Sequence, residues 1–225
     1  MCFSAGASFA GGALITAIGV LTVKKNSEPS RRLFASIPLV FGVQQVSEGF
    51  VWVALQSGGH QVMLPVATYV FLFAAVILWP TMIPLSVMLM EPSRRRRKAM
   101  IALLVIGVAT SLYYGSGIFF FDVRPEISSH HIRYANDFPR HLANLAFGAY
   151  LLATLVPHFI SSVRRMWMFG TLIAASCLIT GIFYREYLTS VWCFFAAFIS
   201  LVILWIVSSP VAGSDHEPEF QSQSK

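Results

Sequence analysis

Glu48 is the residue whose type and position most clearly suggest chemistry, because it lies inside a long apolar stretch. Gln44 and Gln45 precede it by four and three residues, and Trp52 follows it by four. This spacing places Gln44, Glu48 and Trp52 on one stripe of a helix, with a second amide beside them. A carboxyl group that faces lipid costs roughly 2.5–3.5 kcal/mol. The stripe is therefore expected to face the bundle interior or a water-filled cavity.

Two interpretations of this stripe remain open. In the first, Glu48 binds a ligand or handles protons in a polar pocket whose other members are Gln44, Gln45 and Trp52. In the second, a protonated Glu48 is hydrogen-bonded to the two glutamines and only holds helices together. We favour the first, because an intramembrane carboxyl group is costly and two adjacent amides are available to orient it.

A second candidate site combines thiols, an imidazole and the same carboxyl group. Thiolate, imidazole and carboxylate groups are the ligands that zinc takes in proteins, and the topology derived below brings four such groups toward one side of a membrane. The predicted zinc ligands are Cys2, Glu48, Cys193 and His131. They lack the close pairs that make a zinc motif specific, so two alternatives stay open. The cysteines can pack as small apolar residues, or Cys2 and Cys193 can form a disulfide.

The composition indicates what must position these residues. Of the 225 residues, 56% are hydrophobic and 12% are charged, whereas soluble domains carry about 25% charged residues. The apolar residues form seven blocks, and a helix that spans a bilayer needs about 20 apolar residues. The blocks do not alternate apolar and polar residues as barrel strands do. They cover approximately residues 5–23, 33–55, 62–90, 99–121, 142–160, 166–183 and 188–208.

The positions of the basic residues predict the orientation of this seven-helix transmembrane bundle. Eleven of them lie in the connections after blocks one, three and five, and four lie in the other connections. Positively charged connections stay in the cytoplasm, so the N-terminus is expected outside and the C-terminus in the cytoplasm. The eleven are Lys24, Lys25, Arg31, Arg32, Arg94, Arg95, Arg96, Arg97, Lys98, Arg164 and Arg165.

The same clusters account for the formal charge of +6, so the predicted partner is a lipid bilayer and not a nucleic acid. Residues 1–208 are expected to form one all-α transmembrane domain, and residues 209–225 a disordered cytoplasmic tail. Residues 122–141 are expected to be a polar external loop. Pro80 and Pro84 predict a kink in the third block, and His158 is predicted to lie at the membrane interface.

Four segments resemble an uncharacterised family of bacterial multi-pass membrane proteins. They are the opening Met-Cys-Phe-Ser-Ala, PLVFGVQQVSEGFVW at residues 38–52, Trp79-Pro80, and SVWCFFAAFIS at residues 190–200. The resemblance covers most of the chain, and the opening pentapeptide is its most specific part. It implies location in a bacterial inner membrane. The family has no established activity, so the resemblance adds no chemistry.

Three classes of function follow from these observations. The favoured one is binding or transport of a small molecule or an ion at a polar pocket near the outer leaflet, centred on Glu48. The second is a membrane-embedded, metal-dependent enzyme with an outward-facing Cys/His/Glu zinc site. The third is a sensor or structural membrane component without catalytic chemistry.

Overall fold

The computed structural model of the protein describes residues 4–58, 62–128, 131–183 and 188–208, without the side chains of residues 140 and 182–194. The described chain is mostly helical, as predicted from the apolar blocks. Two short 3₁₀ turns, at Pro29–Arg31 and Arg140–Leu142, precede α2 and α7. The helices are α1 (Ala5–Lys25), α2 (Arg32–Ala35), α3 (Ile37–Ser57), α4 (Met63–Leu72), α5 (Trp79–Met90), α6 (Arg94–Phe120), α7 (Ala143–Ile160), α8 (Met166–Phe183) and α9 (Leu188–Val207).

Five helical segments are long and apolar enough to cross a membrane. Their lengths of 18–29 residues match the roughly 20 residues that a bilayer requires. Two shorter apolar stretches, Met166–Gly181 of α8 and Phe195–Val207 of α9, follow them. The five are Ala5–Lys25, Pro29–Ser57, Met63–Met90, Arg94–Phe120 and Ala143–Ile160.

Helices α1 and α3 pack closely because glycines line their contact. A Cβ atom added to Gly12 would lie 2.7 Å from Cγ2 of Val46, and one added to Gly42 would overlap the hydroxyl of Thr16. Small residues at these positions let two helix backbones approach. Helix α3 also contacts α4 and α9, and Val43 and Phe50 leave one side of it exposed. It ends at Gly58, whose φ of +64° is a left-handed conformation that favours glycine.

The third helical segment changes its pitch where the sequence analysis predicted a kink. A π-helical turn, Phe73–Leu78, joins α4 to α5 directly before Pro80. Proline cannot donate a hydrogen bond to the carbonyl four residues before it. A π-helical turn also leaves carbonyl groups without partners in their own helix. Neighbouring helices supply the donors: Ser111 of α6 donates to the carbonyl of Ile77 over 2.6 Å, and Tyr150 of α7 donates to that of Ala75 over 2.8 Å.

The segment predicted as an external loop contains a β-hairpin, so the all-α prediction was wrong for these residues. Strands β1 (Val123–Ser128) and β2 (His131–Asn136) pair antiparallel, with Val123 opposite Asn136 and Ser128 opposite His131. Arg133 and Glu126 form an exposed ion pair at 2.8 Å. On the other side Ile132 is buried against the bundle. This alternation of polar and apolar side chains is typical of a strand with one buried face.

Candidate functional site around Glu48

Glu48 lies inside α3 and is completely buried, with 0% of its surface exposed. Gln45, also fully buried, is three residues earlier on the same helix, and its Nε2 donates to Oε2 of Glu48 over 3.1 Å. Residues three apart in a helix lie on one face, which is why this bond forms within the helix.

Gln44 connects the same face of α3 to α5. Its Oε1 accepts a hydrogen bond from the indole Nε1 of Trp79 over 2.9 Å. The Trp79 ring packs against Phe41, one turn from Gln44 on α3, with ring centroids 4.3 Å apart. A contact between residues 35 positions apart thus fixes the orientation of the Gln44 amide. Trp79 was not among the predicted pocket residues, although Trp79-Pro80 is one of the segments that carry the family resemblance.

Trp52 lies one helical turn from Glu48, toward the end of α3, and is only 3% exposed. Its ring belongs to a buried cluster with Val51, Ala67 of α4 and Ile132 of β2. The hairpin therefore covers this end of the bundle directly over Trp52. We call Gln44, Gln45, Glu48, Trp52 and Trp79 the Glu48 cluster.

The predicted zinc ligands fall largely outside the described part of the chain. Cys2 lies outside the described residues, and Cys193 lies in α9 but its side chain is not described. His131 begins β2 and is buried, as is Glu48. Among the residues that the structure describes, no group of three or more His, Cys, Asp or Glu residues could hold a metal. The zinc site stays a prediction.

A second polar site, which the sequence analysis did not identify, lies at the opposite end of the bundle. Glu91 follows α5, and its two carboxylate oxygens accept hydrogen bonds from the backbone N–H groups of Ser93 (3.1 Å) and Ser162 (2.7 Å). The hydroxyls of Ser161 (3.2 Å) and Ser162 (2.5 Å) also donate to it. Burial alone raises the pKa of Glu91, but the bonds from these serines outweigh it and hold the pKa below its usual value. Glu91 therefore joins α5 to the connection between α7 and α8.

His158 lies near this second site, and it is buried between helices, while its predicted position at the membrane interface stays a prediction. Its side chain is fully buried and packs edge-on against Phe169 of α8, with ring centroids 4.9 Å apart. Nδ1 lies 3.2 Å from the carbonyl of Leu155. A Cβ atom at Gly170 would lie 2.7 Å from Cβ of His158, so the absence of a side chain there lets the histidine pack against α8.

Comparison with known proteins identifies a family but supplies no activity. No curated protein and no solved structure matches the chain. One family matches residues 1–217, nearly the whole sequence, and it is described as a family of unknown function. The chain therefore belongs to the family of unknown function DUF6629.

Proposed function

We propose that this chain is an integral membrane protein that binds a proton or a small cation at Glu48. The observation that carries the proposal is a fully buried carboxyl group in the middle of an apolar helix of spanning length. Glu48 is also the only acidic residue inside a membrane-spanning segment of the described chain. Ionisable residues at such positions are costly and typically mark ion or proton pathways.

The surroundings of Glu48 favour a cationic ligand. A bound proton or cation neutralises a carboxylate inside a protein and so offsets part of its desolvation cost. The Gln45 amide donates to Oε2 and so holds the carboxyl group in one orientation. Trp79 holds the Gln44 amide in the same way from α5. A site with its oxygen ligand already oriented loses less entropy when it binds an ion.

In the proposed topology the chain crosses a bacterial inner membrane seven times. The Glu48 cluster then lies near the outer leaflet. The Glu48 cluster lies toward the hairpin end, and the eleven basic residues lie toward the opposite end, which the positive-inside rule assigns to the cytoplasm. Two of them make contacts there: Arg96 donates to the carbonyl of Ile160 over 3.1 Å, and the Arg165 guanidinium lies 3.9 Å from the centroid of the Trp205 ring.

Labelling with dicyclohexylcarbodiimide tests the proposal. This apolar reagent reacts with protonated carboxyl groups in lipid, and mass spectrometry locates the adduct. We expect one adduct at Glu48 that declines as the pH rises, because the reagent requires the protonated form. It should be absent in Glu48→Gln and unchanged in Glu126→Gln, a variant of the exposed ion pair on the hairpin.

Cation binding is tested on the same preparation. Sodium, potassium, ammonium and zinc salts are added one at a time, and a cation that binds at Glu48 should slow its labelling. No adduct at Glu48 across the accessible pH range would contradict the proposal. Zinc at one ion per chain, lost in Cys2→Ser, would favour the metal-dependent enzyme. Unchanged stability and phenotype in Glu48→Leu would favour a structural component.

A further inference from the structure

Three buried polar side chains near Glu48 have no hydrogen-bond partner among the described residues. They are the hydroxyls of Ser8 on α1 and Thr68 on α4, and the indole N–H of Trp52 on α3. Their exposed fractions are 0%, 2% and 3%. A buried polar group without a partner costs about 1–3 kcal/mol, and such groups in native proteins typically bind ordered water or a ligand.

The two hydroxyls differ from all other buried serines and threonines of the described helices. Those others donate to a backbone carbonyl, most often three or four residues earlier, as hydroxyls in apolar helices commonly do. Ser8 and Thr68 have the carbonyls of Ser4 and Leu64 four residues before them, yet neither hydroxyl is bonded there. The residues that do donate are Thr22, Ser47, Ser86, Thr110, Ser111, Thr154, Ser176, Thr180 and Ser200.

Packing places Ser8 at the level of Glu48. The next residue, Phe9, lies against Gly49, where an added Cβ atom would be 2.8 Å from the phenylalanine ring. Ala5, three residues before Ser8 on the same face of α1, packs against the cluster that contains Trp52. The hydroxyl of Ser8 is thus on the hairpin side of the α1–α3 contact.

Thr68 approaches the same region from α4. Leu64, which shares its stripe, and the adjacent Ala67 both pack in the Trp52 cluster. Phe71, three residues after Thr68, stacks on Tyr134 of β2 with ring centroids 5.0 Å apart. Unpartnered groups from α1, α3 and α4 therefore lie in the region that extends from the level of Glu48 to the hairpin.

We infer that Ser8, Trp52 and Thr68 bind ordered water that connects Glu48 with the aqueous side at the hairpin. An indole N–H only donates, whereas each hydroxyl both donates and accepts. Water satisfies both kinds of group and needs two to four polar partners in a buried site. This inference rests on the proposed function, because it supplies the route by which a proton or hydrated cation reaches Glu48.

The hairpin carries the titratable and charged groups that face this route. His131 is buried, Tyr134 is partly buried and stacks on Phe71 of α4, and Arg124, Glu126 and Arg133 are exposed. On α1, the charged residues Lys24 and Lys25 are at the opposite end. The route thus opens toward the hairpin and not toward the basic end.

Thiol accessibility tests the inference. In a background where Cys2, Cys177 and Cys193 are replaced by alanine, Ser8→Cys and Thr68→Cys are treated with a small, charged methanethiosulfonate. The matched control is Thr110→Cys, a buried helical position whose native hydroxyl bonds to its own helix. We expect both test thiols to react at least about tenfold faster than the control, because the ionised thiol is the nucleophile and it forms only in contact with water.

Carbodiimide labelling of Glu48 in the same proteins separates this inference from the proposed function. In one outcome Glu48 is labelled, but the two test thiols react as slowly as the thiol of Thr110→Cys. That outcome overturns the water route and leaves the proton or cation site intact. Reactive test thiols without labelling of Glu48 support the water route and contradict the proposed function. Trp52→Phe supplies a second measurement, since it removes the N–H group and keeps the ring. It is expected to slow the reaction of Thr68→Cys.

Discussion

Replacing Glu91 by glutamine should destabilise the protein measurably, because the glutamine side chain cannot replace both acceptor oxygens. Each carboxylate oxygen accepts from one backbone N–H and one hydroxyl. A serine hydroxyl can rotate and accept from the new amide N–H₂, but a backbone N–H cannot. Either Ser93, which is half-buried, or Ser162, which is exposed, then loses its hydrogen bond to a side chain that is itself only 4% exposed. The expected loss is about 1–3 kcal/mol.

The assay is thermal unfolding of the detergent-purified protein, followed by tryptophan fluorescence. For a chain of this size, 1 kcal/mol corresponds to about 2–4 °C in the midpoint, so Glu91→Gln should lower it by about 2–12 °C. Glu91→Ala, which removes all four bonds, should lower it further. The control is Glu28→Gln at the same end of the bundle, where the side chain is exposed and a change within about 0.5 kcal/mol is expected.

The pH dependence gives an independent check on Glu91. Its folded-state pKa lies below the usual 4.5, so folding favours the ionised form. The resulting stability is fully present above pH 4.5 and is lost as the pH falls through the lower folded-state pKa. Wild type should lose more stability on acidification than Glu91→Gln does. Equal midpoints for wild type and Glu91→Gln, or parallel acid profiles, would refute the reasoning.

Two further predictions concern packing and topology. Gly107→Ala should lower the unfolding midpoint, because its Cβ would overlap the carbonyl oxygen of Pro80 and force α5 and α6 apart at a cost of about 1–3 kcal/mol. Gly148→Ala, with no atom within 4 Å of the added Cβ, is the control and should be neutral or slightly stabilising; equal losses would contradict the packing argument. A fluorescent protein fused after Ser208 should be fluorescent, because that end is proposed to be cytoplasmic. Activity of a phosphatase that works only in the periplasm, fused at the same position, would show the opposite orientation.

The helices were predictable because their signal is local. The first block was expected at residues 5–23 and forms α1 at Ala5–Lys25, and the third was expected at 62–90 and forms the segment Met63–Met90. The burial of Glu48 also follows from a local argument, since a carboxyl group that faces lipid is costly. In both cases a single stretch of sequence contains all the information that the prediction needs.

The features that sequence reasoning missed depend on contacts between distant residues. The bond from Trp79 to Gln44 joins α5 to α3, and two of the serines that bind Glu91, Ser161 and Ser162, are 70 and 71 residues away from it. His158 looked interfacial from its place near the end of a block, and its burial depends on Gly170 of the next helix. The hairpin was missed because its strands are short and polar on one side, and a two-stranded sheet is stable only when packed against other structure.

The hydroxyl groups of the buried serines and threonines in the described helices divide into two groups, and this division favours a site near Glu48. Nine of them donate to a backbone carbonyl, eight in their own helix and Ser111 to Ile77 of the neighbouring segment, which is a structural use. Ser8 and Thr68, close to Glu48, make no such contact within the described chain. If Glu48 served only to hold helices together, the hydroxyls around it would gain stability by bonding to their own helices, as most other buried hydroxyls do. Within the described helices, Ser8 and Thr68 do not form such bonds. Their exception favours a bound water or ligand at this end of the bundle over a purely structural role for the carboxyl group.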